Sequence, residues 1–148
     1  MLLGVYFLDG GILLVHHHNT ERRPYGIHIP PSLSPQPLAR EINAAAILAD
    51  FFLADVYFVE RSHAKTPDFK IRNQYWELKS PSGNGKRTIQ HTLESAKKQS
   101  LNIILDMRRS KIQGNKIINE IESGVRTVKG IRRLIVILKS GDVMSINI

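Results

Sequence analysis

The chain of 148 residues is 42% hydrophobic and 23% charged, which is typical of a globular protein and not of a disordered chain. It has no cysteine, which excludes disulfide bonds, thiol nucleophiles and cysteine-ligated zinc. Lys and Arg number 21 against 13 Asp and Glu, which gives a formal net charge of +8. This charge favours a polyanionic partner, and nucleic acid, a ribosome or a membrane surface would each fit it. No apolar run reaches about 18 residues, so we expect no stable membrane insertion.

Two short apolar segments, residues 5–8 and 12–16, flank an Asp-Gly-Gly sequence near the start. This pattern predicts a β-hairpin, and the lack of a positively charged start argues against a signal peptide. Residues 19–37 are polar and rich in proline, which predicts a long loop. We therefore expect residues 1–37 to form a hairpin followed by a proline-rich arm.

Helix and strand patterns alternate along the rest of the chain. Apolar residues recur at helical spacing in residues 38–49, 86–100 and 112–125, which predicts three helices. Segments rich in β-branched and aromatic residues predict strands at residues 54–60, 68–72, 74–79, 102–107, 132–139 and 143–148. Arg72 and Asn73 suit a tight turn, and the last two strands should form a hairpin. The order predicts one α/β (α+β) domain, residues 1–148, with a mixed central β-sheet flanked by helices.

Three residues around the tight turn carry the most informative chemistry. Side chains alternate along a strand, so Glu77 and Lys79 should share one face while Trp76 packs into the core on the other. The hairpin would bring Asp68 close to Glu77, and two converging carboxylates need a cation between them. Mg²⁺ (or Mn²⁺) suits Asp68 and Glu77 as ligands, and Lys79 would serve the attacking water or the transition state. A surface ion pair and a turn-capping aspartate would give the same pattern without catalysis.

The sequence also resembles a known family. Pro67-Asp68 and Glu77-Leu78-Lys79 match the signature of the PD-(D/E)XK nuclease superfamily. The run KTPDF…WELKSPSGNGKRTIQHTLESAKKQSLNIILDMRRSKI, within residues 65–112, is similar to the C-terminal tRNase domains of CdiA-type contact-dependent growth inhibition toxins. Weaker similarity extends on both sides of this run but not into the first 37 residues.

The resemblance implies a small α/β nuclease core that cleaves tRNA with a divalent metal after entering a target cell. It implies that Asp68 and Glu77 bind the metal and that Lys79 is the catalytic lysine. Glu41, on the first predicted helix, resembles the glutamate that completes such a site, and Glu60 is the alternative. A toxin also implies an immunity protein, which we expect to present an acidic surface.

The second predicted helix carries a polar stripe beside its buried one, formed by Thr88, Thr92, Ser95 and Gln99. These groups would hold a phosphate, a ribose or Lys79, or they are merely half-buried helix polar groups. Basic residues near the site in sequence would form an RNA-binding track: Lys86, Arg87, Lys97, Lys98, Arg108, Arg109 and Lys111. The substrate-binding residues selected from both sets are Thr88, Gln99, Lys86, Arg87, Lys97 and Arg108.

The histidines are weaker candidates for metal binding or acid–base catalysis. His16 and His18 would share a strand face, but no companion zinc ligand is identifiable in the sequence. His91 falls within the second predicted helix, where an acid–base role and a solvated position are both open. His63 is expected in a loop.

The leading hypothesis is a metal-dependent ribonuclease that acts as a tRNase toxin domain. The alternatives are a DNA endonuclease on the same scaffold and a non-catalytic basic nucleic-acid-binding module. The converging carboxylates argue against pure binding, because they repel phosphate. We expect action in the cytoplasm, with the chain either free-standing or delivered as part of a larger secreted or surface protein.

Overall fold

The computed structural model describes the backbone of two N-terminal strands, Leu3–Phe7 and Ile12–His16, and all residues from 25 to 148. The fold class is mixed α+β, as predicted. The chain divides into two compact units, Met1–Tyr75 (unit 1) and Trp76–Ile148 (unit 2).

The described elements, in chain order, are β1 Leu3–Phe7, β2 Ile12–His16, β3 Tyr25–His28, α1 Ala39–Phe52, β4 Val56–Phe58, β5 Phe69–Ile71, β6 Gln74–Lys79, α2 Thr88–Lys97, β7 Asn102–Asp106, α3 Gly114–Thr127, β8 Arg133–Ile137 and β9 Val143–Ile146. Within the described residues, no helix is long and apolar enough to cross a bilayer.

The sheet of unit 1 begins with the predicted N-terminal hairpin, which is confirmed. β1 pairs antiparallel with β2, and Phe7 lies opposite Ile12 across the pair. β2 pairs antiparallel with β3, β3 runs parallel to β4, and β4 pairs antiparallel with β5. Residues 8–11 and 17–24 lie outside the described part of the chain.

Strand β3 corrects the prediction of a continuous loop from residue 19 to residue 37. Ile27 in this strand is fully buried, and it lies opposite Val56 of β4. The strand is four residues long and is followed closely by two prolines, so its local pattern resembles a loop. Burial between two neighbouring strands stabilises it, and no local sequence pattern reports that contact.

Helix α1 covers unit 1 with a stripe of small and aliphatic side chains, and it contacts β3 and β4. Its alanines favour helix and allow close approach to the sheet. The carboxylate of Glu41 accepts a hydrogen bond of 2.8 Å from the main-chain N–H of Leu38, which satisfies one free donor at the helix start. Glu41 therefore has a structural role in beginning α1.

The turn after β5 is the one predicted from the sequence. Arg72 and Asn73 have φ angles of 49° and 62°. Two successive positive φ angles are those of a type I′ turn, which reverses the chain with the twist that a hairpin needs. Lys70 Nζ then lies 5.9 Å from the centre of the Tyr75 ring, just across the turn.

Unit 2 is built on three parallel strands in the order β6, β7 and β8, and β9 pairs antiparallel with β8. The final hairpin was predicted and is confirmed. Every residue of β7 is buried, as expected for a central parallel strand that is covered on both faces. The apolar core joins side chains from α2, α3, β7 and β8, and Leu93 and Ile121 are fully buried in it.

Helices α2 and α3 approach each other closely at Gly124. A Cβ added at this position would meet side-chain atoms of Ile89 and Leu93 at 3.1 Å. Glycine disfavours helix, so a glycine at position 124 needs a reason. The close packing of the two helices, which leaves little room for a larger side chain, is that reason. The observed α2 is shorter at both ends than the predicted helix over residues 86–100.

Candidate active site

Strand β6 presents a buried carboxylate next to a lysine. Lys79 Nζ lies 2.8 Å from Glu77 Oε1, and the two side chains are 26% and 2% exposed. Alternation along the strand places both on one face, while Trp76 is buried on the other. The predicted face is therefore correct, but Glu77 is far more buried than a solvated strand face would make it. A carboxylate excluded from water to this degree needs a charged or hydrogen-bonding partner, and Lys79 supplies one.

The lysine also contacts the segment that directly follows α2. Lys79 Nζ lies 3.4 Å from Gln99 Oε1, a long hydrogen bond. Among the alternatives for the polar stripe of α2, contact with Lys79 is thus the one observed for Gln99. We name these three residues the Glu77–Lys79–Gln99 cluster. Its ammonium group is held by an anion and a dipole while remaining partly open to solvent.

A second charged pair lies at the carboxyl end of the neighbouring strand. Asp106 ends β7 and is buried, and both of its oxygens accept hydrogen bonds from the Arg108 guanidinium, at 2.9 and 2.7 Å. The hydrogen bond to Asp106 raises the pKa of Arg108, although burial acts in the opposite direction. Arg108 was predicted to bind substrate, and the structure shows it paired with its own chain.

Arg109 fixes the loop that follows Lys79. Its Nε donates to the main-chain oxygen of Ser80 and to the Ser80 hydroxyl, both at 2.9 Å. The loops after two adjacent parallel strands are thereby tied together at their carboxyl ends, where parallel sheets usually bind their ligands. Arg109 was predicted to lie in a basic track, and its contact with Ser80 was not predicted. The alignment of Lys79 with Leu105 across β6 and β7, which brings these loops together, is visible only in the fold.

The remaining acidic candidates lie in unit 1. Asp68 comes just before β5, and its main-chain oxygen accepts a hydrogen bond of 3.0 Å from Val59. Glu60 accepts a hydrogen bond from the Ser32 hydroxyl, and Glu41 begins α1 as described above. The closeness of Asp68 to Glu77, and the choice between Glu41 and Glu60, stay predictions.

The other polar and basic candidates for substrate contact in unit 2 differ in exposure and in whether their side chains already form hydrogen bonds. Lys86 and Arg87 are exposed just before α2. Lys97 is exposed but donates a hydrogen bond to the main-chain oxygen of Lys129. Thr92 donates to the oxygen of Thr88 within its own helix, at 2.7 Å. Lys86 and Arg87 therefore remain the better candidates for contact with a polyanion.

The histidines add little to the site. His91 is exposed, and its Nδ1 lies 3.5 Å from Glu94 on the same helix. His63 lies in a loop, as predicted, where its oxygen accepts a hydrogen bond from the Thr66 hydroxyl. The side chains of His16 and His18 lie outside the described residues, so the zinc reading stays open. In the described ranges, no group of three or more His, Asp or Glu side chains is arranged to hold a metal ion.

The donor chemistry of Glu77 suits a hard divalent cation. Mg²⁺ and Mn²⁺ prefer oxygen ligands, and Mg²⁺ commonly uses one or two carboxylates together with water and substrate phosphate. The buried Glu77 carboxylate, near the carboxyl end of a parallel strand, offers oxygen donors of this kind. The role of Asp68 as a second carboxylate ligand stays a prediction from the sequence.

Comparison with known proteins identifies the family. The model of the contact-dependent growth inhibition CdiA C-terminal domain matches residues 65–143, more than half of the chain. The chain belongs to this family. It is also similar to a chain of the CdiA-CT/CdiI toxin and immunity complex from Burkholderia pseudomallei, with a TM-score of 0.59 and 27% sequence identity over 81% of this chain and 97% of that one. None of the curated proteins matches the sequence.

The family match defines which site residues belong to the shared region of this CdiA C-terminal domain. Asp68 and the whole Glu77–Lys79–Gln99 cluster lie within the matched residues, whereas Glu41 and Glu60 lie before them. The resemblance to CdiA toxins noted in the sequence is confirmed, and the chain is a toxin domain of contact-dependent growth inhibition.

Proposed function

We propose that this CdiA C-terminal domain is a metal-dependent ribonuclease of the PD-(D/E)XK type that cleaves tRNA. The observation that carries the proposal is the Glu77–Lys79 pair, in which a buried carboxylate holds a partly exposed ammonium group 2.8 Å away. The carboxyl end of a parallel strand, where this lysine lies, is where such sheets usually bind their ligands. A nuclease can use such a group to stabilise the negative charge that develops on the phosphate.

Each residue of the cluster has a distinct role in the proposal. Lys79 orients the attacking water and stabilises the negative charge that develops on the phosphate, because its ammonium group is fixed before substrate binds. Gln99 limits the positions that the ammonium group can adopt. Glu77 holds Lys79 and, with Asp68, would bind Mg²⁺ or Mn²⁺. The metal, when bound, would supply charge neutralisation and a more acidic water.

The charge of the chain favours a nucleic acid as substrate. The net charge is +8, and Lys86, Arg87, Lys98 and Lys111 are exposed in unit 2. Cationic side chains near the site would bind the phosphate backbone and give the affinity a strong dependence on salt. The preference for tRNA over DNA rests on the resemblance to CdiA-type tRNase domains.

An immunity protein completes the proposal. The similar chain from Burkholderia pseudomallei belongs to a complex of a toxin and its immunity protein. We infer that this chain has such a partner, and that the partner is acidic where it covers the basic residues of unit 2. The toxin would act in the cytoplasm of a target cell after delivery as part of a larger surface or secreted protein.

The test is incubation of the purified protein with total tRNA and, separately, with plasmid DNA, each in Mg²⁺ and in EDTA. Glu77→Gln and Lys79→Ala are the site variants. Glu122→Gln and Lys139→Ala are matched controls, because both residues are exposed and lie in unit 2 away from β6. We expect discrete tRNA fragments in Mg²⁺ with wild type and both controls, and none in EDTA or with either site variant.

Other outcomes of the same experiment separate the alternatives. Cleavage of plasmid DNA with intact tRNA would replace the ribonuclease by a DNA endonuclease. Cleavage that persists in EDTA would reject the metal. Equal tRNA binding by wild type and site variants, without cleavage of either substrate, would favour a non-catalytic binding module.

A further inference from the structure

A row of side chains crosses the sheet of unit 1 on one face. His28 of β3 lies opposite Tyr57 of β4, and Tyr57 lies opposite Lys70 of β5. Their neighbours in sequence, Ile27 and Val56, point to the other face and are fully buried. The row therefore occupies the face that is turned away from the apolar core, and Tyr57 is 45% exposed there.

Tyr57 stacks on His28, and His28 is in turn hydrogen-bonded to Asp55. The rings of His28 and Tyr57 are stacked, with centroids 4.1 Å apart and planes 10° from parallel. His28 Nε2 lies 2.9 Å from Asp55 Oδ2, while Asp55 Oδ1 accepts a hydrogen bond of 2.8 Å from the main-chain N–H of Gly26. One face of the Tyr57 ring is thus covered and fixed. Orienting an exposed aromatic ring in advance lowers the entropy cost of stacking a ligand on it.

A pocket of about 460 Å³ opens beside Tyr57. This volume lies within the range of small-molecule sites. Lys70, which lies on the strand next to Tyr57 on the side away from His28, lines the pocket, whereas His28 does not. The pocket is lined by Ala54, Asp55, Tyr57, Lys70, Arg72 and Asn73.

We propose that this pocket, here named the Tyr57 pocket, binds an unpaired nucleobase of RNA together with its phosphate. The base stacks on the free face of Tyr57. Asp55 and Asn73 contact the polar edge of the base, because a carboxylate accepts from base amino groups and an amide both donates and accepts. Lys70 and Arg72 contact the phosphate.

The lining residues favour a single-stranded nucleic acid over other ligands. Aromatic stacking next to cationic side chains is the common arrangement for binding single-stranded RNA and DNA. Both faces of a base within a duplex are covered by its neighbours, so only an unstacked base can use a protein ring in this way. The loops and ends of a tRNA supply such bases. The inference rests on the proposed function for its class of polymer, and it adds a recognition site in unit 1.

Binding measured without turnover tests the Tyr57 pocket independently of catalysis. The probes are a fluorescein-labelled unstructured 12-mer RNA, chosen at roughly the site size of a single-strand binding domain, and the same strand annealed to its complement. Fluorescence anisotropy in EDTA gives Kd for Tyr57→Ala, Tyr57→Phe and Lys70→Ala, each compared with wild type. Phe51→Ala is the matched control, because Phe51 is an aromatic side chain of unit 1 with a similar exposure, 41%, and lies on α1.

We expect Tyr57→Ala to weaken binding of the single strand by about 5- to 100-fold, the effect of losing one stacked base. Tyr57→Phe and Phe51→Ala should stay within about twofold of wild type, because ring stacking needs no hydroxyl. Lys70→Ala should reduce the slope of log Kd against log salt by about 0.7, whereas Tyr57→Ala should leave the slope unchanged. The duplex probe should not distinguish Tyr57→Ala from wild type.

Two results would overturn the Tyr57 pocket as an RNA site. One is unchanged affinity for the single strand in both Tyr57→Ala and Lys70→Ala. The other is a loss of affinity in Tyr57→Ala that is not specific, because it appears equally with the duplex probe or equally in Phe51→Ala. Neither result depends on cleavage, so failure of the pocket and failure of the nuclease proposal are separate findings.

Discussion

Replacement of Lys79 by alanine should destabilise unit 2 because it leaves the Glu77 carboxylate buried without its ammonium partner. The side chain of Glu77 is 2% exposed and that of Lys79 is 26% exposed. Removing one partner of a fully buried pair costs about 3–5 kcal/mol, and removing one from an exposed pair costs about 0.2–1 kcal/mol. The partial exposure of Lys79 places the expected loss between these limits, at about 2 kcal/mol.

The sole tryptophan of the chain reports on this loss. Trp76 is buried and precedes Glu77 in the same strand, so its fluorescence follows unfolding of β6. With a urea m-value of about 2 kcal/mol/M, Lys79→Ala should lower the urea midpoint by about 1 M. Glu77→Gln should cost less, about 1 kcal/mol, because a neutral amide replaces the buried charge and Lys79 can turn to solvent.

A double-mutant cycle separates the pair from general damage. In the Glu77→Gln background, Lys79→Ala should cost no more than about 0.5 kcal/mol, since the charge that needed Lys79 is gone. Lys98→Ala, at an exposed position after α2, is the control and should leave the midpoint unchanged. An unchanged midpoint in Lys79→Ala, or the same loss with and without Glu77→Gln, would refute the reasoning.

Three further predictions concern the core, the loop and the metal. Leu93→Ala should lower the free energy of unfolding by about 2–5 kcal/mol in urea titrations, because Leu93 is fully buried between the helices and the sheet. A loss below about 1 kcal/mol would contradict that packing. Arg109→Ala should accelerate trypsin cleavage after Lys86 or Arg87 about fivefold in native buffer, because about 1 kcal/mol of hydrogen bonding to Ser80 is lost. An unchanged cleavage rate would show that Arg109 does not hold the loop after β6 in place. Mg²⁺ at tenfold its Kd should stabilise wild type by about 1.4 kcal/mol in the same titrations, and equal stabilisation of Glu77→Gln would show that Glu77 is not a ligand.

The sequence is sufficient to predict the elements whose local pattern and tertiary environment agree. The strand at residues 74–79 was predicted with its observed bounds because its aromatic residues favour strand, and the faces of its side chains follow from the alternation along any strand. The Arg72-Asn73 turn was predicted from residue type and has the φ angles that a hairpin requires. The placement of Glu77 and Lys79 on one strand face followed from the same alternation.

Features that depend on a second element could not be predicted in this way. Strand alternation gives the face on which Glu77 lies, but its burial depends on what covers that face. The pairing of Arg108 with Asp106 depends on the geometry at the end of β7, whereas the charge of Arg108 and its place in the sequence made it a candidate for phosphate contact. Strand β3 depends on β2 and β4, and the Tyr57 pocket depends on the register of three strands.

The single-turnover rate of tRNA cleavage in Mg²⁺ tests the central claim most directly. Wild type, Lys79→Ala and the exposed control Lys139→Ala would be compared at a temperature at which the tryptophan fluorescence shows each protein to be folded. We expect a rate for Lys79→Ala at least about 100-fold below wild type, because a group that stabilises transition-state charge is removed, and an unchanged rate for Lys139→Ala. A folded Lys79→Ala protein that cleaves tRNA at the wild-type rate would contradict the assignment of the Glu77–Lys79 pair as the catalytic centre.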